Sequence, residues 1–173
     1  MTSDPLAPIL NRTSCRSFRT DPIPEDDLNR LLEVMRRAPS AGNCQPWRFL
    51  VVRSEEERAA LSAAAHDQRF IMEAPIAILV CGDAERSAAR YEERGRSLYV
   101  IQDTAAATEN LLIAATALGY GTCWIGAFDE EAVTEALALP RTLRPLAIVP
   151  IGTPVKQPRA SRRRPLKEIV EMR

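Results

Sequence analysis

The residues best suited to chemistry in this 173-residue chain are arginines set among hydroxyl and amide side chains. Asn11 to Arg19 reads NRTSCRSFR, with Arg12, Arg16 and Arg19 interleaved with Thr13, Ser14 and Ser17. Guanidinium forks match phosphate oxygens and hydroxyls add further donors, so this segment can aim several donors at one anion. The same composition also suits a solvated basic surface. A second cationic group, Arg159 to Arg164, stands near the other end of the chain. Between them Ala38 to Phe49, APSAGNCQPWRF, is a loop by its Pro, Ser, Gly and Asn content. Its small hydrogen-bonding groups and terminal aromatic exceed what a connector needs, although a helix-to-strand turn with Trp47 in the core explains it too.

Other chemistries are poorly served. His66 is the single histidine, has no Ser, Cys or acid pattern beside it, and reads as a surface residue at a helix end. Cys15, Cys44, Cys81 and Cys123 are scattered with no metal-ligand spacing, so no metal site is expected. A phosphate-binding G-x-x-x-x-G-K-[ST] loop and a G-x-S-x-G elbow are both missing. Gly119, Gly121 and Gly126 do not follow a strand and open a helix, so they make no dinucleotide fingerprint. With 23 basic and 23 acidic residues the formal charge is zero, which argues against a nucleic-acid surface. No signal-like leader and no run of about 18 apolar residues is evident, so no membrane is expected. A cytoplasmic protein with reduced thiols follows.

The elements that must position these groups are organised around Gln102 to Gly126. Thr104 to Leu118 is apolar on nearly every face and predicts a helix buried on several sides, with Gly119 as its stop. A Gly119-Tyr120-Gly121 turn then feeds a strand, Thr122 to Ile125, whose end lines a site. Upstream, Pro22 and Pro24 precede a helix with Leu28, Leu31, Leu32 and Met35 on one face. Phe49 to Val52 and Ala74 to Cys81 read as buried strands. Ser54 to Glu57 has capping-box form and opens a helix to about His66. Residues 84–97 are charged with little apolar periodicity, a solvated segment or a mobile cover. Asp129 caps a further helix. Leu146 to Ile151 is a strand, bulged or near an edge at Pro150. A Pro- and Arg-rich tail leads to a short helical run, Leu166 to Met172. No domain break is evident, so residues 1–173 read as one layered α/β or α+β unit.

Four stretches together resemble the FMN-dependent nitroreductase family. They are Arg12 to Phe18, Ala38 to Trp47, Asp103 to Gly126 (DTAAATENLLIAATALGYGTCWIG), and the late Gly152-Thr153-Pro154 followed by Arg162-Arg163-Arg164-Pro165-Leu166. The resemblance implies a three-layer α+β fold with a central mixed, mostly antiparallel sheet flanked by helices, in an interlocked homodimer with two FMN sites at the interface. Carried onto this chain, it makes Arg12, Thr13, Ser14 and Arg16 flavin contacts. Arg12 and Ser14 would serve the phosphate or ribityl chain, and Arg16 the pyrimidine edge, where a cation stabilises the anionic reduced ring. Pro39, Ser40, Ala41 and Asn43, with Gln45, match the loop that the partner copy lays against the same flavin. Trp124, Ile125 and Gly126 match the strand end beside the ring, and Arg162 and Arg163 the C-terminal phosphate clamp. Gln68 sits near the family's polar contact to the ring.

The resemblance further implies a ping-pong cycle. NADH or NADPH gives a hydride to flavin N5 and leaves, and a small electron-poor acceptor, such as a nitroaromatic or quinone, takes the electrons. No side chain then has to be a nucleophile or essential acid, in keeping with the missing triads. Longer family members carry insertions over the flavin, which only residues 84–97 are placed to replace here. Two alternatives are a dehalogenase-like relative with a dedicated substrate and a dimeric flavin-binding redox protein with little turnover, in which Cys44 or Cys123 would matter.

Overall fold

β-branched and aliphatic residues on both faces of the sheet strands demand cover on both sides, and the chain supplies it as helix, sheet and helix. The structure is a computed structural model describing residues 4–156 and 158–173. Its helices are α1 (Ala7–Asn11), α2 (Glu25–Arg36), α3 (Glu55–Ala64), α4 (Phe70–Glu73), α5 (Ala84–Arg94), α6 (Val100–Ala117) and α7 (Glu130–Ala136). Strands β1 (Trp47–Val52), β2 (Ile76–Asp83), β3 (Gly121–Thr122) and β4 (Leu143–Gly152) form one sheet in the order β1-β2-β4-β3. All three strand pairings are antiparallel, and one parallel bridge, Ser14 to Thr122, makes the sheet mixed.

The period-two alternation of β2 divides the core. Ile76, Ile78 and Val80, with Ala147, Val149 and Ile151 of β4, pack on Leu28, Leu31 and Met35 of α2 and on Leu111, Leu112 and Ala115 of α6. Ala77, Leu79 and Cys81, with Ile148, pack on the other side against Leu61 of α3 and Val133 of α7. The expected three layers and the α+β class are therefore present.

Helix α6 begins at Val100, four residues before the expected start. Its buried threonines are satisfied internally, Thr104 and Thr108 donating to the carbonyls of Val100 and Thr104 at 2.8 Å. It stops at Gly119 in the left-handed region (φ 85°). The Tyr120 N–H donates to Ala115 O at 2.8 Å and the Gly119 N–H to Thr116 O at 3.1 Å, closing the paired cap that favours glycine there.

Four expectations are corrected or narrowed. The strand foreseen over Thr122–Ile125 is only Gly121–Thr122, plus an isolated bridge from Ile125 to Ile148, because Pro150, opposite Cys123 in that register, has no N–H to give. Residues 84–97, expected as a solvated segment or a mobile cover, are mostly exposed but helical: Asp83 caps α5 by accepting the Arg86 N–H at 3.0 Å, and a π-turn, Gly95–Tyr99, joins it to α6. The β4 bulge lies between Pro145 and Ala147, so of the two readings at Pro150 the edge one holds. Alternation from Ile148, which pairs with Ile125, aims the Pro150 nitrogen at Cys123, so its missing N–H falls at the gap between the Thr122 and Ile125 pairings. The last helical run is reduced to a 3-10 turn, Leu166–Glu168.

Candidate functional site

The segment after α1 runs alongside β3 and the end of β4. The Cys15 N–H donates to Thr122 O and the Arg19 N–H to Thr153 O, both at 2.8 Å, while Phe18 bridges Pro154. Close approach requires Gly121, since a Cβ there would lie 2.7 Å from Cys15 Cβ. Burying Cys15 and Phe18 leaves Arg16 exposed and Arg12 and Ser14 half-buried beside the strand end. Ser14 bridges Thr122, the residue before Cys123, so the motif flanks the strand end. Burial pushes the Cys123 thiol up, opposed by the nearby charges of Arg16 and Arg12 and by the Ser14 hydroxyl. The first arginine motif and the start of Cys123–Gly126 thus share one neighbourhood.

Other side chains complete it. The Arg16 guanidinium lies 6.0 Å from the centre of the Phe70 ring. Gln68 Nε2 donates to Ala65 O at 2.9 Å and to Ala127 O at 3.5 Å, which puts Gln68 beside the residue after Gly126. Trp124 is 39% exposed although it follows a buried strand, and a Cβ on Gly126 would meet nothing within 4 Å. Ile125 is buried and anchors the turn to β4. This edge therefore offers two guanidinium groups, hydroxyls, a free aromatic and open space over a glycine backbone. That donor set fits a flavin phosphate and ring.

The C-terminal arginines approach from the other side. Thr13 Oγ1 donates to Arg159 O at 3.1 Å, so the tail passes the first motif just before the exposed Arg162 and Arg163. Neither makes a side-chain hydrogen bond or ion pair among the described residues.

The loop holding Pro39, Ser40, Ala41, Asn43 and Gln45 lies elsewhere. Ala41–Asn43 is a 3-10 turn between α2 and β1, and the Gln45 N–H donates to Ser40 Oγ at 3.0 Å. Helix α6 touches both groups, through Asp103, whose Oδ1 accepts the Ala41 N–H at 3.0 Å, and through Glu109, whose carboxylate lies 3.9 Å from Arg12 Nε. Six residues apart on a helix, those two carboxylates are separated by about 9 Å of rise and point about 120° apart. One copy of the chain therefore does not bring the loop to its own arginine motif.

Sequence reasoning missed Phe70, Asp103, Glu109, Arg86 and Arg90 as neighbours of these groups. Asp103 lay before the expected start of the helix at Thr104, and the two arginines were lost in the charge of residues 84–97. Burial holds the Asp103 carboxyl above its ordinary value, opposed by the Ala41 N–H. Cys15, Cys81 and Cys123 are likewise raised by burial, Cys81 to about 12, so none is primed as a thiolate.

A family model described as the nitroreductase family matches residues 9–70 and 62–153. An NADH dehydrogenase of Thermus thermophilus is 34% identical over 93% of this chain and 92% of its own length. An FMN reductase [NAD(P)H] of Bacillus subtilis is 29% identical over 87% of this chain and 68% of its own. The crystal structure of a nitroreductase family protein from Clostridium novyi superposes with a TM-score of 0.80, at 33% identity, covering 87% of this chain and 86% of that one. With the family model running through the first arginine motif and the strand end, and the fold superposing over most of both chains, this chain belongs to the nitroreductase family.

Proposed function

We propose that this protein is an FMN-dependent NAD(P)H oxidoreductase that reduces nitroaromatics, quinones or similar small electron-poor acceptors in a ping-pong cycle, acting as a homodimer. The observation that carries this reading is the pairing of the arginine motif with the strand end, Ser14 bridging Thr122 and the Cys15 N–H donating to Thr122 O at 2.8 Å just before the open Trp124–Gly126 turn, in a chain of this family. When bound, FMN supplies a ring that accepts hydride from NADH or NADPH and passes electrons on. Arg12 and Ser14 hold its phosphate and ribityl chain, joined by Thr13 and by Arg162 and Arg163 of the tail. Arg16 places positive charge at the pyrimidine edge, which favours negative charge on the ring and raises its potential. The open space over Gly126 would admit the ring to its backbone, Trp124 would shield it from water, and Ile125 anchors the turn from below.

The homodimer follows from the two faces of α6. The Pro39–Gln45 loop is turned away from its own arginine motif, so it serves the motif of a second copy. Apolar surface left uncovered on one copy agrees: Ile101 on α6 is 41% exposed, Leu10 72% and Met172 90%. Purified protein is expected to be yellow, to release FMN on denaturation and to oxidise NADH or NADPH repeatedly with a nitroaromatic or quinone. A flavin that bleaches once and never turns over would reject the enzyme reading.

A further inference from the structure

The loop from Ser40 to Gln45 puts three residues in the left-handed region, with φ of 52°, 55° and 50° at Gly42, Asn43 and Gln45; the first two adopt it readily and Gln45 does not. Residues in this region persist only where their surroundings over-determine them. Here the surroundings come from two helices. Arg90 of α5 donates Nη1 to Gly42 O at 3.0 Å, and Arg86 donates Nε to Cys44 O at 2.6 Å. Gly42 is pressed so close to α5 that a Cβ would lie 2.6 Å from Tyr91 Oη.

From α6 comes a single carboxylate. Asp103 is 6% exposed, its Oδ1 accepts the Ala41 N–H, and its buried Oδ2 has no partner among the described residues. A buried carboxylate with one hydrogen bond is a poor contributor to stability, because desolvation opposes it. The same N–H would be satisfied by a neutral amide. What the acceptor contributes at the base of a loop carrying Ser40 and Asn43 is therefore placement of the loop and not stability, a role an amide oxygen would also fill.

We infer that Asp103 is a positioning residue for the flavin site of the other copy: with Arg86 and Arg90 it fixes the Ser40–Gln45 loop that one protomer presents to its partner's arginine motif. This rests on the flavin-binding homodimer proposed above. Arg12 and Asp103 then serve different sites from the same chain. Damage to one is repaired by a neighbour carrying the other.

The test uses the full chain, stripped of flavin and titrated with FMN, read by fluorescence quenching and visible circular dichroism. Asp103→Ala is expected to raise the FMN Kd by about 10-fold or more and to alter the dichroism of the bound ring. Asp103→Asn, which retains an acceptor for the Ala41 N–H, is expected to stay within about 3-fold of wild type. Heterodimers of Arg12→Ala and Asp103→Ala chains, purified through two tags after co-expression, are expected to recover one tight site per dimer. Wild-type affinity and dichroism in Asp103→Ala, or heterodimers with no tight site, overturn the inference. Should Asp103→Ala not fold, Arg86→Met/Arg90→Met on the exposed side of α5 takes its place, with the same change expected and an unchanged flavin overturning the inference. Wild-type protein that takes up no FMN overturns the flavin reading itself, and this inference with it.

Discussion

Arg12 is the residue on which the site turns. Its contact with Glu109, at 3.9 Å and with the carboxylate half-exposed, is too long and too wet to hold the guanidinium strongly, which leaves it available to a phosphate. Arg12→Ala should weaken FMN binding by roughly 1.5–3 kcal/mol, while Arg30→Ala on the exposed face of α2 should leave it unchanged; equal loss in both would count against the assignment. Arg12 and Ser14 stand out in the sequence because guanidinium and hydroxyl groups suit a phosphate wherever they lie, while Arg16 is assigned to the ring by resemblance. Phe70 does not stand out, since its place under Arg16 depends on how α4 packs, and neither does Asp103, whose meaning comes from an N–H 62 positions away. Gln68 came from resemblance alone, and its contact with Ala127 O gives it a physical reason to be there.

The elements were legible where periodicity and caps agree. Glu25–Arg36 buries Leu28, Leu31 and Met35, and Ser54 and Asp129 cap α3 and α7 through Glu57, Glu131 and Ala132 N–H groups. Helix α5 was obscured because its ordered contacts are polar: Arg96 pairs with Glu85 and Glu93, and Arg94 bonds Tyr99 Oη. The short β3 was over-extended because Cys123, Trp124 and Ile125 look β-like but two of them leave the sheet.

The junction between α2 and the end of α6 gives a sharper prediction. Tyr120 Oη donates to Asp27 Oδ2 at 2.7 Å, and burial, with the bond and charge of Asp27, pushes the phenol from 10.0 up to about 12. The folded chain keeps this proton where the unfolded chain sheds it, so the tie contributes fully below pH 10 and is lost as pH rises towards 12. Tyr120→Phe should cost about 1–2 kcal/mol at neutral pH. Urea midpoints should then fall less steeply for the variant than for wild type across the alkaline window; parallel curves would disprove the tie. Gly121→Ala, which would drive a Cβ to 2.7 Å from Cys15 Cβ, should destabilise by about 1–3 kcal/mol in the same assay.

At the scale of the whole molecule, one copy is a framework with its two half-sites pointing apart. The sequence hinted at this through a helix apolar on nearly every face, and the structure sharpens it, because Ile101 remains open while Asp103 and Thr104 beside it are buried. Light scattering at micromolar concentration should therefore return twice the 19.2 kDa of the chain. The most direct measurement joins this to the cofactor: titration of flavin-stripped protein with FMN, followed by absorbance and light scattering together. Saturation at one FMN per chain, on a particle of two chains, is the predicted result. Protein that stays colourless after incubation with FMN, or that binds it fully as a single chain, would contradict the account.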